Sequence, residues 1–222
     1  MAEALELLGA PTPRLNPDLK GQAEAEREFL QEFESGRMHH AWLISGPRGI
    51  GKATFAYRIA RYVLAQKNLI QEGPAQTLDF VYNSHTENSD ASEVTMLLEH
   101  QHPVFRRVAS GTHADFLSIE RGVDEKTKVV RKEIIVDDVR AIKSFLNKTP
   151  VEGDWRVVLI DAVDEMTTSA ENALLKVLEE PPRRALLLLV SHNPNSLLAT
   201  SRSRCRQPVS YTHLTLPTNR EV

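Results

Sequence analysis

Four short stretches of this chain are apolar almost from end to end. They are Ala41-Trp42-Leu43-Ile44-Ser45, Phe116-Leu117-Ser118-Ile119, Val157-Val158-Leu159-Ile160-Asp161 and Leu186 to Ser191. A strand with one wet face alternates apolar and polar residues, whereas a strand covered on both faces does not. These runs therefore predict buried parallel strands. Helical spacings lie around them: Phe29 with Phe33, then Phe55, Ile59 and Val63, then Val139, Ile142 and Leu146, then Ala170, Leu174 and Leu178. Pro181-Pro182 ends the last of these. Strand and helix in alternation predict an α/β fold with a doubly wound, mostly parallel sheet between two helical layers.

Two regions do not follow this rhythm. Residues 67–112 read as an insertion after the first helix that follows a strand, with loop-like Glu72-Gly73-Pro74 and Asn83-Ser84-His85 and a short helix from Glu93 to Leu98. Glu120 to Lys132 reads as a charged, exposed turn. From about Val209 the sequence (Ser210-Tyr211-Thr212-His213-Leu214-Thr215 onward) loses all periodicity. Residues 209–222 are read as a non-native tail, and 1–208 as the domain.

Composition narrows the function classes. The formal net charge is -3, which disfavours a protein that coats nucleic acid by bulk charge. Cys205 is the single cysteine, so no internal disulfide and no cysteine-type zinc site can form. A lone thiol, an N-terminus without a basic signal-peptide region and apolar runs far short of the ~20 residues of a membrane span predict a cytoplasmic protein.

The chemistry-bearing motif is Gly46-Pro47-Arg48-Gly49-Ile50-Gly51-Lys52, of the form G-x-x-x-x-G-K. It follows the first apolar run and opens the Phe55–Ile59 helix, the context that a phosphate loop needs. Glycines let successive N–H groups converge on an anion, the helix N-terminus adds partial positive charge, and Lys52 adds a full one. Residues Gly46 to Lys52, with Ala53 and Thr54, are the predicted nucleotide-binding set, for ATP or ADP. Position 53 is Ala, where an active site places a hydroxyl on Mg²⁺. Thr54 is rotated from it by roughly 100°. Asp161, ending the third run, is the weak candidate for Mg²⁺. Ala162 stands where a hydrolytic site of this kind carries its base, with Asp164 and Glu165 further on. Two departures on one function predict a P-loop that does not turn nucleotide over.

Further residues carry a resemblance. Asn172-Ala173-Leu174-Leu175-Lys176-Val177-Leu178-Glu179-Glu180-Pro181-Pro182 and Ser203-Arg204-Cys205 are similar to the signatures of bacterial DNA polymerase III clamp-loader subunits. His40-Ala41-Trp42-Leu43, the phosphate loop and His113-Ala114-Asp115 extend the match over about residues 18–208, which resembles the delta-prime branch most.

This resemblance implies an AAA+ type domain and the role of a non-hydrolysing stator in a five-membered arc that loads the sliding clamp on DNA. It implies partners: the ATPase subunits and delta, with the sliding clamp and primed DNA reached through the complex. It implies that Arg204 acts in trans as an arginine finger on a neighbour's ATP, with Ser203 and Cys205 supporting the loop. Ser191 or Asn193, at the end of the last strand, become candidate phosphate sensors. Many delta-prime subunits carry a cysteine zinc site after the first helix. Here 67–112 has no cysteine, and His85, His100 and His102 lack matching partners, so no zinc is expected. The family's lid and collar domains do not appear in this sequence. Arg106, Arg107 and the arginines near Arg202 are the basic candidates for DNA. The competing readings are an active P-loop ATPase, such as a helicase loader, and an α/β module that binds no nucleotide.

Overall fold

A computed structural model of the chain describes residues 11–71, 96–124 and 127–208, with the backbone alone for 67–71. Four parallel strands form one sheet: β1 (Ala41–Ser45), β2 (Phe116–Ile119), β3 (Arg156–Asp161) and β4 (Ala185–Ser191), in the order β1-β4-β3-β2. Each predicted run is one of these strands. The centre of the sheet is dry because β3 and β4 carry Val, Leu and Ile on both faces.

Alternation splits these side chains between two cores. Trp42, Ile44, Val157, Leu159, Leu186, Leu188 and Val190 pack under α1 (Ala23–Glu34), α2 (Lys52–Gln71) and α3 (Pro103–Ser110). Leu43, Val158, Ile160, Leu187 and Leu189 pack under α4 (Val136–Leu146) and α5 (Thr168–Glu179). The result is a three-layer α/β/α domain, as the alternating strands and helices predict. Phe29 and Phe33 do share a face of α1, with ring centroids 6.1 Å apart. α5 stops at Glu179, just before the paired prolines.

The insertion departs from expectation. Residues 96–98 are not helical, and Met96 is buried in the core instead. A helix forms later, in α3, where the His102 side chain accepts the Val104 N–H, Pro103 fits the first turn, and Gly111 closes the end at φ 72°. Glu72-Gly73-Pro74, Asn83-Ser84-His85, Glu93 and residues 209–222 lie outside the described residues.

Two fastenings position the working ends of the sheet. Asp115, fully buried, accepts N–H groups from Val151 (2.9 Å), Glu152 (2.7 Å) and Gly153 (3.3 Å) and faces Arg156 at 3.4 Å. The His113-Ala114-Asp115 motif is thus a clasp that ties the approach to β3 onto the start of β2. A strap before α1 is held by α2: Arg61 donates to the Asn16 carbonyl (3.0 Å), and Arg58 to the Pro17 carbonyl and Glu26. Among the described residues no helix is long and apolar enough to cross a membrane.

Candidate phosphate site and arginine finger

β1 ends at Ser45, and the chain turns back through Gly46 to enter α2 at Lys52. The turn needs its glycines. Gly46, Gly49 and Gly51 have φ of 150°, 87° and 86°. A Cβ on Gly46 would lie 2.7 Å from Ile50 Cδ1, so that side chain would have to turn away, and the φ of 150° itself favours glycine there. Two residues from the strap brace it: Gln22 Nε2 donates to the Ile50 carbonyl at 3.2 Å, and Leu19 stands against Gly51.

Lys52 is 4% exposed, and its Nζ donates to the Pro47 carbonyl at 2.5 Å, across the loop it serves. Burial pushes its pKa down, Asp161 and Asp164 pull it back up, and Arg48 pushes it down again. A buried ammonium inside a ring of glycine turns at a helix N-terminus fits a phosphate. The side of the site that would hold Mg²⁺ has fewer protein ligands. Ala53 has no side-chain oxygen to offer. Asp161 is pushed up to about 6, mainly by burial and then by Glu120 and Glu165.

The carboxylates after Asp161 are already engaged. Asp164 Oδ1 accepts the His192 N–H at 2.8 Å. Glu165 is held from both sides: its Oε1 takes Arg48 Nη2 at 2.8 Å and its Oε2 takes Arg121 Nε at 2.9 Å. Ala162 is buried and inert.

The two sensor candidates part company. Alternation along β4 puts Ser191 on the face of Leu187 and Leu189, under α4 and α5. Its buried Oγ has no partner, while its carbonyl accepts the Gly46 N–H at 3.3 Å. Asn193 turns to its own loop and accepts the Asn195 N–H at 3.3 Å. The residue between them, His192, belongs to the cradle's electrostatic neighbourhood, since Lys52, Arg48, Asp164 and Glu165 all act on its imidazole. Position alone, one residue past an apolar strand, was the signal that could have found it.

Arg204 lies elsewhere. It follows the short helix α6 (Ala199–Arg202) and donates to the Thr200 carbonyl at 2.8 Å and to Glu179 Oε1 at 2.9 Å. Its side chain is 35% exposed, so it faces outward and not into the core. Glu179 closes α5 beside Leu178, whose carbonyl meets His40 Nε2 at 3.1 Å, and His40 precedes β1. Arg204 therefore sits at the amino end of β1 and the phosphate-loop motif at its carboxyl end. A five-residue strand separates them by roughly 15 Å. Ser203 Oγ donates to the Thr200 carbonyl, and Cys205 Sγ to the Ser201 carbonyl at 3.2 Å. Arg206 then pairs with Trp42 as a parallel bridge on the free edge of β1.

The basic candidates for DNA scatter. Arg107 pairs with Glu152, Arg202 bonds Asn195 at 3.1 Å, and Arg106 is exposed on α3. His102 caps α3 and His100 Nε2 meets the Leu15 carbonyl at 3.1 Å, so the two serve the backbone. His85 is outside the described residues.

The protein family described as DNA polymerase III, delta subunit, matches residues 21–211. The chain belongs to that family. DNA polymerase III subunit delta' of Pseudomonas aeruginosa is 34% identical over 168 residues, which are 76% of this chain and 42% of that protein. Subunit tau of Escherichia coli is 29% identical over 195 residues, 88% of this chain and 25% of that one. The crystal structure of a gamma subunit-related protein from Thermotoga maritima aligns with a TM-score of 0.46 at 22% identity, covering 82% of this chain and 44% of the other. The chain thus spans less than half the length of these relatives. The clamp-loader delta-prime resemblance read from the motifs agrees with this family membership. Within a polymerase III delta family member, the phosphate cradle and the Ser203-Arg204-Cys205 loop occupy opposite ends of one sheet.

Proposed function

We propose that this chain is a non-hydrolysing stator of the DNA polymerase III clamp loader that supplies Arg204 to ATP held by a neighbouring subunit. The observation that carries the reading is the separation of finger and cradle. Arg204 is too far from its own phosphate loop to serve it, so a phosphate that meets its guanidinium belongs to another molecule. A planar, always-charged fork suits phosphoryl oxygens better than an ammonium does.

The cradle supports the same reading. It offers Gly46 to Lys52 to the phosphates of ATP or ADP, but it lacks the parts of turnover. Position 53 has no hydroxyl, Ala162 replaces the expected base, and Asp164 and Glu165 are bound to backbone and arginines. Relatives of both the delta' and the tau kind match this chain, and Ala53 and Ala162 favour the first. In this reading the sliding clamp and primed DNA are met through the assembled complex.

The test uses the full-length protein assembled with its ATPase subunits. Arg204→Ala and Arg204→Lys should each lower the ATPase rate of the complex at least about tenfold, with assembly by size exclusion unchanged. Loss of assembly instead would make Arg204 an interface residue. Lys52-dependent ATP turnover by this chain alone would refute the stator reading and support an active ATPase.

A further inference from the structure

The cradle fits a phosphate but has no side-chain hydroxyl at position 53 for Mg²⁺, and a guanidinium of the loop itself, Arg48, meets a second one, Arg121, on Glu165. Arg48 stands within the phosphate loop itself. Arg121 follows β2, on the far side of β3, and reaches the same place because Glu165 draws both in. One carboxylate takes Arg48 Nη2 at 2.8 Å and Arg121 Nε at 2.9 Å through its two oxygens. The guanidiniums are therefore within about 8 Å of each other, set by two hydrogen-bond lengths and the width of a carboxylate. Both arginine side chains are half in solvent, at 50% and 40% exposure, while Glu165 is 18% exposed. Two positive charges share the one carboxylate of Glu165, and Arg48 also acts on the buried ammonium of Lys52, which Asp161 and Asp164 offset in part.

We propose that this site takes nucleoside di- or triphosphates as metal-free polyanions, with Arg48 and Arg121 in the place of Mg²⁺. The inference rests on the cradle binding nucleotide as read above. The chemistry is electrostatic. A free polyphosphate carries more negative charge than its Mg²⁺ complex and needs more cationic donors. Guanidiniums provide them without any hydroxyl or carboxylate ligand on the protein. Each arginine spends one donor nitrogen on Glu165 and keeps others for an anion. Glu165 orients the two cations, and it also competes with the phosphates for them.

The experiment is equilibrium binding of fluorescent ADP and ATP analogues to the intact chain, in EDTA and in excess Mg²⁺. Affinity in EDTA should equal or exceed that in Mg²⁺. The double variant Arg48→Ala, Arg121→Ala should lose about tenfold in EDTA, in line with charge-assisted hydrogen bonds, and less in Mg²⁺. Glu165→Gln, which frees both arginines from a competing charge, should tighten binding in EDTA by about threefold. A gain of this sign would not follow from merely loosening the fold. Binding that needs Mg²⁺ and ignores Arg48 and Arg121 overturns this inference while leaving a nucleotide cradle in place. Absence of binding in both buffers overturns the nucleotide cradle itself, and this inference with it.

Discussion

Arg204 donates to Glu179 at 2.9 Å, joining the Ser203-Arg204-Cys205 loop to the end of the helix that carries the Leu178-Glu179-Glu180-Pro181-Pro182 motif. The two signature segments that suggested the family are thus in contact. The contact is at the surface, with side-chain exposures of 35% and 44%. An ion pair in that setting contributes about 0–1 kcal/mol. Glu179→Ala should accordingly leave the thermal midpoint within a few degrees of the parent, as followed by circular dichroism. A much larger loss would mean that the pair holds the loop itself.

Gly46 is the position at which a single methyl group should damage the cradle most. Its φ of 150° strains any L side chain, and the 2.7 Å approach of Ile50 Cδ1 makes Ile50 turn away to admit a Cβ. Gly46→Ala should cost about 1–3 kcal/mol of stability in urea unfolding and weaken nucleotide binding. Gly49→Ala meets no atom within 4 Å and should cost less, through its φ of 87° alone. Equal effects at both positions would contradict the packing argument.

The Asp161 carboxyl, pushed up to about 6 from an ordinary 3.8, sets a pH-dependent stability. Its folded state holds a proton that the unfolded chain has released. The stability this group contributes is therefore full below about pH 4 and falls away as pH rises through 6. Asp161→Asn should stabilise the protein relative to the parent at pH 7.5, by on the order of 2 kcal/mol. The difference between the two should vanish near pH 4. Paired urea titrations at the two pH values check it, and an advantage that persisted at low pH would contradict the assignment.

Burial pushes the Cys205 thiol up to about 12, and its Sγ is bonded to the Ser201 carbonyl. Little thiolate exists at pH 8, and the thiolate is the reactive form. A disulfide reagent should modify Cys205 at least about tenfold more slowly in the native chain than after unfolding in urea. Rapid native labelling would show that the loop opens, and the supporting role given to Cys205 would fall.

The strands were legible because burial on both faces leaves an uninterrupted apolar run, and all four appear within one residue of their expected bounds. The helix at Pro103–Ser110 was not legible as such. Its apolar residues Val104, Phe105 and Val108 are few, and they sit in a region dominated by turn-forming residues; only His102-Pro103 and Gly111 mark its ends. The phosphate loop could be read from spacing, since glycine and lysine act there through local geometry. The arginine clasp on Glu165 could not, because Arg48, Arg121 and Glu165 are far apart in sequence and meet only through the strand order. His192 escaped for a subtler reason. An alternating strand decides which face each residue of Ser191-His192-Asn193 takes, and only the sheet's two cores reveal the phase.

Two residues past Arg204, Arg206 donates its N–H to the Ala41 carbonyl and its carbonyl accepts the Leu43 N–H, both at 2.8 Å. The guanidinium is thus mounted on a short lever whose root is riveted to the rigid floor of the domain. Any tilt of this body inside a larger assembly would sweep the tip of Arg204 along with it. Displacements on the order of 1 Å at a reacting phosphate can change a rate a hundredfold. If the proposed role holds, this mounting would let the posture of one domain set the tempo of its neighbour.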